Sequence, residues 1–258
     1  MRARSTIFTL FLEYIYPERE ARVKDLIAMM EVLGFSEAAV RAALSRSAKR
    51  GWVQPKREGR TALYTLSERV YWQVRQVRRR LYGPRAPWDG SLLLVLPEGP
   101  KERGRRERFR REMALLGYGS LQPGLYLGAG VDLRATRELL GFYRLRARSF
   151  QARPLEAPEE ILAIFPLKEA EAHYRGLFPV AIPEDPLEAF RTLTRLVHEM
   201  RKALFLDPLL PQGLCPPGFL GVEAHQSFLQ AREDLYQRAL PFLKDLGLPL
   251  SALSPKAG

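Results

Sequence analysis

Cationic and small side chains share one face of a predicted helix near the N-terminus. At 100° per residue, Arg41, Ala42, Ser45 and Lys49 fall on the same side, and Arg46 lies at the edge of that face. Arginine and lysine bind phosphate oxygens and the acceptor atoms of guanine, and small residues let a helix approach base-pair edges closely. The pattern indicates a helix that reads the major groove of DNA, with an ordinary solvated face of charged residues as the alternative.

The ends and the opposite side of this helix also follow from the sequence. Ser36 is a favourable N-cap, Glu37 suits the first turn, and Gly51 suits the position after the helix. The other half of the helical wheel holds apolar and small residues, namely Ala39, Val40, Ala43, Leu44, Ser47 and Ala48. We expect that half to pack on a core.

Two amphipathic helices precede this helix, and a β-hairpin follows it. The hairpin runs from Trp52 to Leu66, turns at Glu58-Gly59, and carries Arg57 and Arg60 at its tip. Three helices and a two-stranded wing predict a winged helix-turn-helix domain over residues 1–82, with double-stranded DNA as its partner.

The rest of the chain predicts two more domains and an α+β fold class. Gly83–Pro87 indicates a stiff linker. Residues 88–153 show the order strand, helix, strand material, helix and strand, which suggests a small ferredoxin-like sandwich. Residues 154–250 are rich in helical patterns, and we expect disorder only in Ser251–Gly258.

The charge distribution indicates where a polyanion would bind. The chain has 258 residues and a net charge of +12. Residues 1–82 hold 17 basic against 8 acidic residues, 83–153 hold 14 against 7, and 154–258 hold 10 against 14. A nucleic acid would therefore meet roughly the first 150 residues. The single cysteine and the glycine-broken apolar segments predict a soluble, cytoplasmic protein without a membrane partner.

Several segments, in this order, resemble the PaaX-like family of phenylacetate-catabolism transcriptional repressors. The resemblance lies in the first helix from Ser5, in Val40–Trp52 and Gly59–Leu66, in Trp88–Gly90 leading into Ser91–Leu96, and in Leu196–Arg201 with Asp207–Pro211. It implies a bacterial repressor that is normally a homodimer and leaves its operator when an aryl-CoA such as phenylacetyl-CoA binds. It also implies a central domain similar to the Cas2 fold. We expect no cofactor; the acyl-CoA acts as an effector. Phe219 stands where the family pattern leads us to expect tryptophan.

Arginines of the central domain are candidates for binding phosphate. One predicted helix carries Arg103, Arg105, Arg106, Arg108, Arg110 and Arg111. Period-two alternation in a predicted strand, Tyr143–Phe150, places Arg144, Arg146 and Arg148 on one sheet face. These surfaces are either simply solvated or bind the phosphates of flanking DNA or of CoA, for which the arginine fork is suited.

The C-terminal third offers candidate effector contacts. Arg201 falls inside an apolar helical stripe and His198 borders it, so the cation needs an anionic partner. That partner is either Asp207 or a ligand group. We name Arg144, Arg146, His198, Arg201 and Phe219 as effector-binding candidates. Tyr174, Arg175 and Phe205, with Phe219, are weaker candidates for an aryl pocket, since aromatic residues of helical domains usually form core.

A Cas2-like domain also raises the alternative of a metal-dependent nuclease or other nucleic-acid-processing protein. Asp89 and Glu98 flank the first predicted strand of that domain, but neighbouring arginines disfavour a cation. Asp89 better suits a turn. The three histidines and Cys215 match no zinc or nucleophile spacing, so we expect no enzyme, no catalytic residue and no metal site.

Overall fold

The chain folds into an α+β structure with two compact units. The computed structural model describes residues 1–100, 102–155 and 158–247, so the expectation for Ser251–Gly258 lies outside the described residues. Unit 1 comprises Met1–Tyr82, Pro179–Met200 and the residues from Ser227 onward, and unit 2 comprises Gly83–Phe178 and Arg201–Gln226. The residues of the expected third domain are thus shared between both units.

Unit 1 begins with three helices, a small antiparallel sheet and a fourth helix. Its elements are α1 (Ala3–Leu10) with a π-helical continuation (Phe11–Ile15), β1 (Glu20–Arg22), α2 (Val23–Val32), α3 (Glu37–Lys49), β2 (Val53–Glu58), β3 (Thr61–Leu66) and α4 (Glu68–Tyr82). Strands β2 and β3 form the expected hairpin, with Val53 opposite Leu66 and Glu58 opposite Thr61. Gly59 adopts φ = +57° in the connecting turn, a conformation that glycine reaches without strain.

The predicted hairpin of β2 and β3 is present, and a third strand that the sequence analysis missed pairs with it. The strand order is β1-β3-β2, and Ala21 of β1 lies opposite Tyr64 of β3. With only three residues, β1 is too short to show an alternating pattern in the sequence. Pairing with β3 therefore decides its conformation.

The apolar stripes predicted from the sequence do form the core of this unit. Ile7, Leu10, Phe11, Tyr14 and Ile15 are all buried. Full burial of each such side chain stabilises a fold by about 1.5–3 kcal/mol. Burial of these apolar residues therefore holds the first helix against the core of unit 1.

Two helices from the C-terminal third complete unit 1. They are α9 (Pro186–Ala203), whose residues up to Met200 belong to this unit, and α10 (Leu220–Asp245), whose residues from Ser227 belong to it. The carboxylate of Asp185 caps α9 by accepting a hydrogen bond from the backbone N–H of Glu188 at 2.9 Å. Tyr14 is hydrogen-bonded with Thr194 at 2.9 Å.

A buried ion pair joins α10 to the first helix inside unit 1. Arg232 Nη2 lies 2.7 Å from Glu13 Oε1, and the two side chains are 8% and 0% exposed. The hydroxyl of Tyr82 donates to the other oxygen of Glu13, and the Arg232 guanidinium lies 4.4 Å from the centre of the Tyr82 ring. This cluster raises the pKa of Tyr82, through burial first and then through the charge of Glu13.

Unit 2 is built around a four-stranded antiparallel sheet. Its elements along the chain are β4 (Leu92–Pro97), α5 (Arg103–Leu115), β5 (Gly119–Gln122), β6 (Leu125–Gly128), α6 (Leu133–Tyr143) and β7 (Ala147–Ala152). The strand order is β5-β6-β4-β7. Phe109 of α5 packs edge-on against Tyr126 and Tyr143, so α5 covers the sheet face that carries Tyr126.

The opposite sheet face is covered by later parts of the chain. Two short helices, α7 (Pro158–Leu162) and α8 (Leu167–Arg175), precede the segment that carries Leu210 and Leu214. Leu92 and Leu127 of the sheet form one apolar cluster with Leu162, Phe165, Leu210 and Leu214. Segments far apart in the sequence therefore share the core of unit 2.

One local prediction in unit 2 is wrong. Helix α6 runs to Tyr143, and Arg144 follows it in the left-handed region at φ = 52°. Because β7 begins only at Ala147, Arg144, Arg146 and Arg148 do not alternate along one strand, and only Arg148 lies in it. Gly83–Pro87 is also more than a linker, since the Arg85 side chain is 4% exposed and pairs with Asp207 at 2.8 Å.

Within the described residues, no helix has both the length and the apolar character needed to cross a membrane.

Candidate nucleic-acid interface

Local interactions fix α3 at both ends and on its inner side. Ser36 Oγ accepts a hydrogen bond from the backbone N–H of Ala39 at 3.3 Å, which confirms the predicted cap. Gly51 follows the helix at φ = +67°. Val40, Ala43, Leu44 and Ser47 are buried, as the helical wheel predicts.

The predicted DNA-binding face of α3 is open to solvent. Arg41, Ala42, Ser45, Arg46 and Lys49 are all exposed, as is the cap residue Ser36. The helix has 13 residues, a length of about 20 Å at 1.5 Å per residue, and the major groove of B-DNA, about 12 Å wide, admits such a helix. Nothing in the described part of unit 1 covers this face, so it is available to a partner.

Arg41 is held in an exposed ion pair. Its Nε donates to Glu37 Oε1 at 2.7 Å, one helical turn away, and the side chains are 59% and 52% exposed. Such surface pairs contribute about 0–1 kcal/mol. The guanidinium can therefore leave Glu37 for a phosphate or a base at little cost.

The wing, which follows α3 in the chain, carries two more cations. Arg57, near the end of β2, and Arg60, in the turn, are both exposed. Lys56 instead lies 2.7 Å from Glu58 and 3.1 Å from Glu20 of β1. Its hydrogen bond with Glu58, followed by that with Glu20, raises the pKa of Lys56. The charge of Lys56 is therefore paired with two carboxylates, and Arg57 and Arg60 are the exposed arginines of the wing.

One feature near this surface was missed in the sequence. The Arg4 guanidinium lies 4.7 Å from the centre of the Trp52 ring, and Trp52 is 36% exposed just after α3. The arginines near the N-terminus could have indicated a further cation for this surface. Their position next to Trp52 could not be predicted, because only folding brings residue 4 close to residue 52.

The effector-binding candidates do not all fall in one unit. His198 is 1% exposed in unit 1, where its Nδ1 is hydrogen-bonded with Thr9 Oγ1 at 3.0 Å. Arg144, Arg146, Arg201 and Phe219 belong to unit 2. Arg144 and Arg146 are exposed, Arg201 is half-buried, and Phe219 is 6% exposed. Their contact with an effector stays a prediction.

Asp207 sits in a buried polar cluster that the sequence did not indicate. Its Oδ2 accepts from Arg85 at 2.8 Å and from the Tyr174 hydroxyl at 2.9 Å. Arg85 also donates to the carbonyl of Gly221 at 2.8 Å, where the Phe219 ring and Asp207 leave no room for a side chain. Asp207 is thus paired with Arg85, and the Tyr174 hydroxyl belongs to the same cluster.

Asp89, considered above as a metal ligand, has a structural role. Its Oδ1 accepts from the backbone N–H and the hydroxyl of Ser91 at 2.9 and 2.7 Å, and these bonds lower the pKa of Asp89. This confirms the turn interpretation. Across residues 1–100, 102–155 and 158–247, no group of three or more His, Cys, Asp or Glu side chains is arranged to hold a metal ion.

Comparison with known proteins gives matches over most of the chain. Residues 2–70 match the family model for PaaX-like protein, and residues 165–245 match the model for the PaaX-like protein C-terminal domain. Transcriptional repressor PaaX from Escherichia coli (strain K12) is 30% identical over 243 residues, covering 86% of this chain and 77% of that protein.

A solved structure shares the fold. The uncharacterized protein Rv0674 from Mycobacterium tuberculosis superposes with a TM-score of 0.57 at 21% identity, covering 95% of this chain and 99% of that one. The two family matches and the similarity to the E. coli protein agree with the residues that suggested a resemblance, and the chain belongs to the PaaX-like protein family.

Proposed function

We propose that this protein is a transcriptional repressor that binds operator DNA through α3 and the wing, meaning β2, β3 and their turn. The observation that carries the proposal is the outward face of α3, where exposed Arg41 and Lys49 flank the small residues Ala42 and Ser45. The similarity to a transcriptional repressor supports the same conclusion and favours a regulator over an enzyme.

The domain organisation in this proposal follows the observed topology. A sheet in which β3 lies between β1 and β2, with α2 and α3 inserted between β1 and β2, supports a winged helix-turn-helix over residues 1–82. Antiparallel order β5-β6-β4-β7, with one helix after the first strand and one after the third, supports a ferredoxin-like domain over 88–153. We assign effector binding and dimerisation to residues 154–250.

On DNA, a homodimer would place two α3 helices in successive major grooves of an imperfect palindrome. Half-sites bound in this way are about one helical turn apart, since the dimer axis fixes their spacing. The exposed arginines of the wing would contact the flanking phosphates. Base contacts by α3 then give the sequence preference.

The effector in this proposal is an aryl-CoA such as phenylacetyl-CoA, and the target is an aromatic-acid (phenylacetate) catabolic operon. A ligand shifts an equilibrium only as far as it prefers one state over the other. The aryl-CoA must therefore bind best to a dimer geometry in which the two α3 helices miss successive grooves.

A genomic selection tests the proposal. Genomic fragments are selected on the full-length protein, with and without phenylacetyl-CoA, and footprinted. We expect an enriched imperfect palindrome that is released by phenylacetyl-CoA. Enrichment without any sequence preference, or degradation of DNA that requires Mg²⁺ and stops in EDTA, would refute a repressor. Release by another ligand alone would refute the effector and leave the DNA-binding proposal intact.

A further inference from the structure

Unit 2 contains an open groove whose lining is mainly apolar. The groove has a volume of about 550 Å³ and lies beside α5, β5 and β6. Tyr118, Ile164, Phe165 and Phe205 are among its lining residues. Gly119 also lines the groove, and a Cβ there would lie 2.6 Å from Ile164 and 2.9 Å from Phe165, so glycine is needed for close packing.

Arginines border the groove on the side of α5. Arg110 and Arg111 line it and are exposed, and the Arg111 guanidinium lies 5.8 Å from the centre of the Phe205 ring. On the helical wheel, Arg103, Arg106 and Arg110 fall within about 60° of one another. Because seven residues of helix span about 10 Å, the cationic edge extends well beyond the groove.

The chemistry of the groove differs between its two parts. The hydroxyl of Tyr118 is hydrogen-bonded with Thr136 at 2.7 Å, so that hydroxyl is already satisfied within the protein. Burial raises the pKa of Tyr118 to about 12. The apolar lining therefore offers ring surface and aliphatic carbon, whereas α5 offers guanidinium groups that bind phosphate in pairs of hydrogen bonds.

We propose that this groove is the effector site, and that it binds a ligand with a planar apolar group joined to an anionic group. The apolar group would lie against Tyr118, Ile164 and Phe205, and the anionic group against Arg110 and Arg111. This inference rests on the proposed function, because the ligand in question is the one that releases the operator. It extends the effector site from residues 154–250, which supply Ile164 and Phe205, to Arg110, Arg111 and Tyr118 of the central domain. It does not include His198, which is buried in unit 1.

The anion can be a CoA phosphate or the carboxylate of a free aryl acid, and three probes separate these sources. Calorimetry without DNA measures the Kd of the full-length protein for phenylacetyl-CoA, for CoA and for phenylacetate. Tight binding of phenylacetyl-CoA, weaker binding of CoA and none of phenylacetate identifies phosphate as the anion. Arginine-dependent binding of phenylacetate in preference to CoA supports the groove with a carboxylate instead. Binding of none of the three overturns the inference.

Variants test the location of the site. Arg110→Ala, Arg111→Ala and Ala114→Trp should each weaken binding of phenylacetyl-CoA at least tenfold, since the first two remove a cation and the third fills the groove. The matched control is Arg134→Ala on α6, which removes an 87%-exposed arginine that does not line the groove and should leave the Kd unchanged. If circular dichroism shows that Ala114→Trp does not fold, the two arginine variants still test the location of the site. Equal affinity in wild type and all three variants would place the site elsewhere.

Failure of the groove assignment can be distinguished from failure of the DNA-binding proposal. A gel shift of the wild-type protein on its selected operator is run alongside. A wild-type protein that binds phenylacetyl-CoA in the groove but binds no operator would contradict the proposal of a repressor. If phenylacetyl-CoA releases the operator and the groove variants bind it as tightly as wild type, only the groove assignment is contradicted.

Discussion

Arg41 is the side chain on which base preference should depend most. Its ion pair with Glu37 is half exposed and opens at little cost. Arg41→Ala should weaken binding to the preferred operator by about 1–3 kcal/mol and reduce discrimination between operator variants. Gel shifts on wild-type and point-mutated operators measure both effects. Lys244→Ala, which removes an exposed cation of α10, is the control. An Arg41→Ala protein with wild-type footprints would contradict the assignment of α3 to the major groove.

Arg60 should act on affinity without affecting sequence preference. It lies in the turn of the wing and is exposed, where phosphates are the expected contact. Arg60→Ala should weaken binding to all sequences alike. It should also reduce the magnitude of the slope of log Kd against log salt concentration by about one. Titrations at several salt concentrations measure this, with Lys168→Ala on α8 as the control. A change confined to one base position would show that Arg60 reads sequence.

Arg85 should contribute to stability instead of DNA binding. It forms a nearly fully buried pair with Asp207, and removing one partner of such a pair leaves an uncompensated charge. Arg85→Met should therefore lower the free energy of unfolding by about 3–5 kcal/mol. The double variant Arg85→Met/Asp207→Leu should lose less than the two single losses combined. Urea denaturation followed by circular dichroism measures both, and losses that simply add would contradict the pairing.

At the scale of elements, α3 depends on its cap as well as on its packing. Ser36→Ala removes the hydrogen bond to Ala39 and should destabilise the protein by about 0.5–2 kcal/mol. Ser36→Asp, which keeps an acceptor, should recover most of that loss. Thermal unfolding of both variants measures the difference, and equal stability of Ser36→Ala and wild type would show that the cap contributes nothing.

Elements whose signals are local were predictable from the sequence. The limits of α3 and the hairpin turn at Gly59 each depend on residue types within a few positions of one another. The wheel of α3 also predicted which side would be buried, because a helix with one apolar side has only one way to bury it.

Elements whose limits depend on distant partners were not predictable in this way. Helix α6 passes Gly141 and ends at Tyr143, whose ring packs 5.0 Å from that of Phe109 on α5. A glycine near a helix end usually stops the helix, but this tertiary contact favours two further helical residues. Strand β7 consequently starts later than the alternation of arginines suggested.

At the scale of the whole molecule, charge should control DNA affinity through salt. The basic residues concentrate in the first 153 positions of a chain with net charge +12. If about 6–11 phosphates are neutralised, log of the association constant should fall against log salt with a slope of about −5 to −10. Fluorescence anisotropy on labelled operator between low and moderate salt measures the slope. A slope near zero would exclude phosphate contacts as the main source of affinity.

The sequence alone determined that α3 exposes a basic face, that a hairpin follows it and that the fold class is α+β. It also showed the resemblance to the PaaX-like family. These follow from periodicity, capping and turn residues, which act over a few positions. Only the tertiary structure decided that Arg85 pairs with Asp207, that β1 joins the wing, and that α5 and residues 204–208 line one groove. Such contacts join residues tens to more than a hundred positions apart, and the free energy that selects them comes from burying surfaces that no local pattern contains.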